Sequence, residues 1–528
     1  MPQKEIHDKL DNMNSKFGII MGAVGLVIFV SLGVFVVILY TVPKFTPFGM
    51  SGVWTQNKYM TYSGDEMEYI FRQRNMIIES SRADIIIRVR KIGFEDRARV
   101  QVFEDANGVS FNSLRRTQVD FLEELDENGV RFTKIHVREP SGMMSRTTRV
   151  YINLQRDYGI PDYEQPPYNF VLNTRQSRVL FEHDPDAQFM RIEKLVVHGT
   201  GNVTLPAPVA PTPTNPEPFV LEVGDLEVNS QSSHVDCRSL ITGHTKIKGA
   251  SRNIILGDLQ TMDVDGTTHR VTLNNAQGNI NFQVLTGSLT IQNAHNGNLT
   301  VAAGTINLTV RDTLRLKLDA REGTVRVDRV RTTSDVTMER GSLTLGSRAD
   351  GLGAVGDVKV KKDRGGVIVN FANSANGKLE IEAIDGEISV HGARNIVDIY
   401  VPSMGNANVT VAFAAMLWSS ADTSRIVIEG AREWRSWGQV NIKLLNDISA
   451  SFHFRGAGSI VDKVTPNRTT EPGNCINDAQ HKTPTNPNGT LEDWQHSNAN
   501  CRIENIPLGS GGGSLLHVKT QGTITIEK

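Results

Sequence analysis

The sequence predicts a mainly β protein: an N-terminal transmembrane helix, a small antiparallel β domain, a β-solenoid-like repeat body and a C-terminal cap. Three observations carry this prediction. Residues 17–43 read FGIIMGAVGLVIFVSLGVFVVILYTVP without one charged side chain. Glycine-led alternating units recur through 220–415. Aromatics are only 6% of the 528 residues against 46 glycines, which suits thin β layers better than a large helical core. This length calls for several domains, or for one elongated repeat body with appendages.

Residues 1–16 form a tail and 17–43 an anchor. About 20 apolar residues at a 1.5 Å rise cross a hydrocarbon core of about 30 Å, and a helix there satisfies its own backbone groups. The run exceeds the roughly 7 to 15 apolar residues of a cleaved signal peptide, so it reads as retained. Lys4, Lys9 and Lys16 precede it, whereas Lys44 and Lys58 follow. The excess of basic residues before the span puts the N-terminus in the cytoplasm and the large C-terminal body outside. Gly18 and Gly22 form a GxxxG pair that lets two such helices approach. Phe45, Phe48, Trp54 and Tyr59 fit either an interfacial belt or the first domain's core.

Residues 54–204 read as an antiparallel β domain. Asn107-Gly108 and Asn128-Gly129 each separate two apolar runs and favour the positive φ angles of hairpin turns. Further strands are expected at Ile85–Val89 and Val150–Leu154, and a weakly capped helix around 65–74. Residues 205–219, PAPVAPTPTNPEP at their centre, form a semi-rigid spacer because proline fixes φ and lacks the ladder N–H. The alternative is a long surface loop inside one continuous fold.

From 220 to 415 the units include GNINFQV, GSLTIQN, GNLTVAA, GTVRVDR, GSLTLGS, GDVKVKK, GVIVNFA, GKLEIEA and GEISVHG. Their leading glycines are spaced 9, 10, 26, 18, 15, 10, 11 and 9 residues apart, mostly one or two steps of about ten. One such strand cannot bury its apolar side alone, whereas stacked turns make a continuous interior. A β-solenoid is the first reading. A meander or sandwich is the alternative, since Asn296-Gly297, Asn376-Gly377 and Asp385-Gly386 also suit hairpins.

These Gly-x-apolar-x-apolar units resemble the “putative adhesin” domains of unknown function over about 200 residues. The resemblance implies β-helical architecture and surface display rather than catalysis, and it transfers no catalytic residue.

Residues 416–528 read as a cap, because a terminal rung exposes unpaired backbone groups that need cover. Cys475 and Cys501 could close a disulfide across an oxidising compartment; His481 and His496 between them make zinc the alternative. Cys237 reads as an inert buried thiol, and GSGGGS at 509–514 as a linker. Trp418, Trp434 and Trp437, with arginines nearby, form a candidate ligand surface or the packing of the cap. Asn202, Asn298, Asn307, Asn408, Asn467 and Asn488 are glycosylation sequons, about as many as chance supplies.

Other motifs are weaker. The GxGxxG string at 351–356 leads into the alternating run DVKVKK rather than a helix, which argues against a dinucleotide. Lys359, Lys361, Lys362 and Arg364 read as solvent-facing solubilising charges. Asp263, Asp265 and His269 read as a turn rather than an acid-base cluster. No catalytic, cofactor-binding or metal residue is assigned, and a net charge of -2 offers no general field for nucleic acid. The chain is therefore expected to be a non-catalytic, membrane-anchored surface scaffold for adhesion or interaction. Its partners would be the bilayer, a protein or glycan, and a further copy of itself. A β-helical polysaccharide-processing enzyme and a structural subunit of a membrane assembly are the alternatives.

Overall fold

A computed structural model describes residues 30–31, 54–62, 74–90, 99–108, 117–125, 129–139, 144–155, 165–182, 189–206, 220–348, 352–373, 375–402, 406–417, 423–429, 438–445, 450–455, 459–462, 500–505, 514–520 and 522–527. Apart from the helical pair Val30 and Ser31, every regular element in them is β. Among the described residues no helix is long and apolar enough to cross a membrane. The rest of the predicted anchor lies outside them, as do residues 65–73 of the helix expected around 65–74.

The chain divides into two compact units, Met1–Arg156 with Arg175–Leu180, and Asp157–Thr174 with Phe181–Lys528. The first is a mixed rather than purely antiparallel sheet unit. Its strands are β1 (Trp54–Tyr62), β2 (Asn75–Ser80), β3 (Asp84–Arg90), β4 (Arg99–Gly108), β5 (Gln118–Leu125), β6 (Arg131–Arg138) and β7 (Met144–Gln155). The antiparallel run β1-β4-β7 continues into β3, which lies parallel to β7; β5 pairs antiparallel with β6, and β2 parallel with β6. The strands flanking Asn128-Gly129 pair as expected of a hairpin, Leu125 opposite Arg131, with Gly129 at φ 77° and Asn128 outside the described residues. The expected hairpin at Asn107-Gly108 does not. Those residues end β4, facing Thr55 and Trp54 on one side and Ser145 and Met144 on the other. Both flanks of β4 are taken by strands distant in sequence, so the local turn signal loses to non-local pairing.

The second unit is a stack of parallel rungs. Tyr168–Thr174, Phe189–Gly199 and Val220–Ser230 lie side by side in parallel, so the stack begins within the stretch expected to be antiparallel. The rungs on either side of the proline-rich segment are direct neighbours, Phe189–Gly199 pairing with Val220–Ser230 and Asn202–Leu205 with His234–Cys237. That segment therefore joins consecutive rungs and separates no domains; its residues 207–219 lie outside the described ones.

Met262 pairs with Ile280 and Val271 with Leu289, each 18 residues on. Further along, Val336 pairs with Val360 and Val360 with Ile381, steps of 24 and 21. One turn of the stack thus takes two of the roughly ten-residue units, and each unit supplies one of its two strands. The pairings at Asp385-Gly386 are parallel, with Gly386 opposite Ala407, which decides for the solenoid over hairpins. Alternation within each strand puts Val358, Val360, Val367 and Val369 inside at 1% exposure or less. Burying such columns removes about 25 cal/mol of penalty per Å² of apolar surface, and parallel ladders satisfy the backbone between them.

Between the two strands of each turn the backbone makes a tight corner, and glycines stack there. A Cβ on Gly341 would collide with the Gly323 carbonyl, one on Gly365 with the Gly341 carbonyl, and one on Gly386 with the Gly365 carbonyl. Gly341 and Gly386 also sit at φ 112° and 126°, where L side chains are strained. Glycine leads the unit because corner meets corner here.

Candidate functional site

Each turn has two strands and a buried interior, so the surfaces available for recognition are the outer sides of the two strand rows. They differ in chemistry. The first row carries charge. Lys317, Asp335, Lys359, Glu380, Asp398 and Arg425 follow one another in register across successive rungs. Lys359 Nζ lies 3.4 Å from Glu380, Lys361 Nζ 3.6 Å from Glu382, and Arg425 pairs with Asp398. Nearer the start of the stack, Arg191 meets Glu222 and Lys194 meets Glu227 at 3.7 and 3.8 Å. A hydrogen bond from Asn229, helped by nearby lysines, holds the Glu227 carboxyl below its ordinary value.

The second row is mostly neutral. Thr344, Ile368, Ser389, Thr410, Asn441 and Thr525 align rung upon rung, and Thr290 sits on Thr272. Amide ladders continue this chemistry where the row ends. Asn275 donates to Asp258 at 2.6 Å and Asn293 to Asn275 at 2.9 Å. Such rows present regularly spaced hydroxyl and amide groups with little charge to desolvate.

One polar chain spans three rungs on the charged side. His244 Nδ1 lies 2.8 Å from Thr261 Oγ1 and its Nε2 3.2 Å from an Asp263 carboxylate oxygen. The other Asp263 oxygen accepts from Asn281 at 2.7 Å. His244 and Asp263 are both more than two-fifths exposed, so this chain of contacts lies open on the surface.

The sequence candidates separate accordingly. Asp263 and Asp265 point outward from a strand rather than lying in a turn, whereas His269 is buried at 1% exposure. Its Nδ1 accepts from the Ser251 amide at 3.2 Å, and burial lowers its pKa, so the three groups do not converge. Cys237 is fully buried, and burial pushes its thiol up to about 12, an inert sulfur. The GxGxxG string leads into the strand Val358–Arg364, as read.

Lys362 departs from the reading of its cluster. Lys359 and Lys361 face solvent, but Lys362 is 1% exposed and donates to the Gly341 and Arg364 carbonyls at 2.8 and 2.6 Å. Burial pulls its pKa down to about 8. It fills the corner from inside, beside Met338 and Ala383.

Of the sequons, Asn202, Asn307 and Asn408 are exposed on strands, and Asn298 is half-buried, donating to Asn279 at 3.1 Å. Asn467 and Asn488 lie outside the described residues, as do Cys475, Trp418, Trp434 and Trp437. Cys501 stands on the strand Asn500–Asn505, with its backbone opposite Phe454. Among the described residues no group of three or more His, Cys, Asp and Glu is placed to hold a metal ion.

The alternating charge row and the buried lysine were not anticipated from sequence. Both follow once the turn length is known, because each places a residue by its register.

No curated protein matches the chain. A crystal structure described as a “putative adhesin” from Parabacteroides merdae is similar at 9% identity and a TM-score of 0.22, covering 67% of this chain and 95% of that one. A “putative cell adhesion protein” from Clostridium sporogenes is similar at 7% identity and a TM-score of 0.14, covering 89% and 99%. The family model described as Toastrack DUF4097 matches residues 193–397, and the rungs continue on both sides of that match. The repeat body of this chain is thus similar to the Toastrack DUF4097 model over 193–397, within a longer parallel stack.

Proposed function

We propose that this chain is a non-catalytic interaction scaffold of the cell surface, held by the apolar segment 17–43 with its β body outside the cytoplasm. The observation that carries this reading is the pair of outer rows. A partner meets the same chemistry on rung after rung, paired charges on one row and hydroxyl and amide groups on the other. The neutral row suits a glycan or a polar protein surface, since hydroxyls and amides exchange hydrogen bonds with water at little cost. Weak contacts repeated along a row add by multivalency.

The test uses the full chain in proteoliposomes. External protease is expected to digest the body of chains inserted body-outward and to leave a membrane-protected fragment containing 17–43. Vesicles carrying the chain should bind one another or a panel of glycan-coated beads, and Ser389→Lys with Thr410→Lys should abolish that binding. A fully water-soluble chain, or vesicles that bind neither target, would overturn the reading.

A further inference from the structure

The far end of the stack is assembled out of sequence order. Thr423–Ile428 and Val440–Leu444 form one rung, and the next rung in sequence is Ala450–Arg455 with Ser459–Asp462. These two rungs do not touch through their ladders. Between them lie Ser514–Lys519 and Thr523–Glu527. Thr423 pairs with Leu515, 92 residues on, although a turn earlier in the stack takes 17 to 32. Each inserted strand is bonded on both edges, in parallel: Ser514–Lys519 to 423–427 and to 450–455, and Thr523–Glu527 to 440–443 and to 459–462.

The inserted pair fits a built slot. Leu516, Val518, Ile524 and Ile526 are at most 1% exposed. Buried Thr520 donates to the Gly438 carbonyl at 2.8 Å and continues the corner. Lys443 meets Glu527 at 2.6 Å and Lys519 meets Glu429 at 3.8 Å, which fixes the register. Asn500–Asn505 closes the outer edge of 450–455 antiparallel. Between it and the inserted pair the sequence is IPLGSGGG, a string without strand preference.

We propose that residues 514–527 are a donor segment, and that two copies of this chain join by exchanging it, each filling the other's slot. This deepens the scaffold reading by naming a partner, a second copy, and rests on that reading for its use at the cell surface. Exchange retains every ladder bond, apolar contact and ion pair given above, because the slot receives the same residues from either copy. Monomer and exchanged dimer therefore differ only in what the connection costs and in concentration. Closure cost rises only logarithmically with loop length, so a connection already spanning this many residues is exchanged at little extra cost.

The experiment mixes two full-length variants, Arg425→Cys and His517→Cys. These residues are direct neighbours across the ladder, on its outer side, so neither substitution disturbs the interior. After partial unfolding and refolding together, followed by mild oxidation, a disulfide between positions 425 and 517 that exceeds the amount formed when the two variants are mixed already folded reports an exchanged pair. Mass spectrometry of the linked peptides distinguishes it from bonds made by the native cysteines. The linked species should rise with protein concentration and rise further when residues 508–513 are deleted, since two residues barely cross the roughly 10 Å between Asn505 and Ser514 on either side of Ala450. The double variant, which links within one chain, reports that the slot is filled. If the double variant links but the refolded mixture does not exceed the one mixed folded at any concentration, with or without the deletion, exchange is excluded. If even the double variant fails to link, the slot itself is wrong. Vesicles that still bind one another in either case would leave the scaffold reading intact without this partner.

Discussion

The two outer rows of the stack share one interior and one rung spacing, yet one row is dominated by paired charges and the other by hydroxyl and amide groups with fewer charges, Arg326, Lys443 and Glu527 among them. Parallel in-register stacking puts each residue about 4.8 Å from its counterpart one turn on, so whatever is repeated is repeated at contact distance. Threonine, serine and asparagine tolerate this, and Thr290 sits directly on Thr272. Charges do not. The column from Lys317 to Arg425 accordingly alternates except from Glu380 to Asp398, where each carboxylate has a cation on its other side, Lys359 and Arg425.

Between the rows lies the corner they share, and breaking it should have the largest effect. Gly341→Val would drive a branched side chain into the Gly323 carbonyl at a φ valine does not adopt. The expected loss is about 3 kcal/mol, read as a lowered urea midpoint and as lost hydrogen-exchange protection in strands 334–345 of both rows. Loss confined to one row would show that the rows do not depend on a common corner.

Lys362 stands inside the same corner, and its effect depends on pH. Burial lowers its folded-state pKa to about 8, below that of the unfolded chain. Between these values the unfolded state holds more protons, so stability should rise with pH across that interval and stay level with respect to this group below it. The expected gain is on the order of 2 kcal/mol between pH 8 and 10, and Lys362→Met should remove that slope. A slope that persists in the variant would assign it to another group.

The charged row gives a smaller effect. Lys359→Glu would set four acidic residues in succession, from Asp335 to Asp398. A destabilisation of about 1 kcal/mol at low salt, shrinking in 1 M NaCl, is expected from denaturation at the two ionic strengths. The same experiment on the neutral row sharpens the contrast. Thr410→Val should change stability by less than about 0.5 kcal/mol and show no salt dependence. Equal salt sensitivity in both variants would mean that the rows are not electrostatically distinct.

Much of the stack could be read from sequence because each unit is local: a glycine for the corner, then alternation for one strand. The same alternation already pointed Lys362 inward, since Val358 and Val360 share its parity, but a lysine run was read by composition as solvent-facing. His269 is similar. It lies three residues past a corner glycine and was grouped with Asp263 and Asp265 by proximity along the chain, although it points to the other side. The Asn107-Gly108 signal failed for the converse reason, because β4 belongs to strands from far parts of the chain.

By itself, then, the sequence determined strand character, inside and outside, and where the backbone must turn, since these rest on side-chain polarity and on glycine's freedom within a few residues. Only the tertiary structure decided which strand lies beside which. Turn length, the facing of charges across rungs, the continuity of the stack across the proline-rich segment and the insertion of 514–527 beneath an earlier rung are all matters of register. Register is set by backbone hydrogen bonds that every residue can make, so no single side chain announces it.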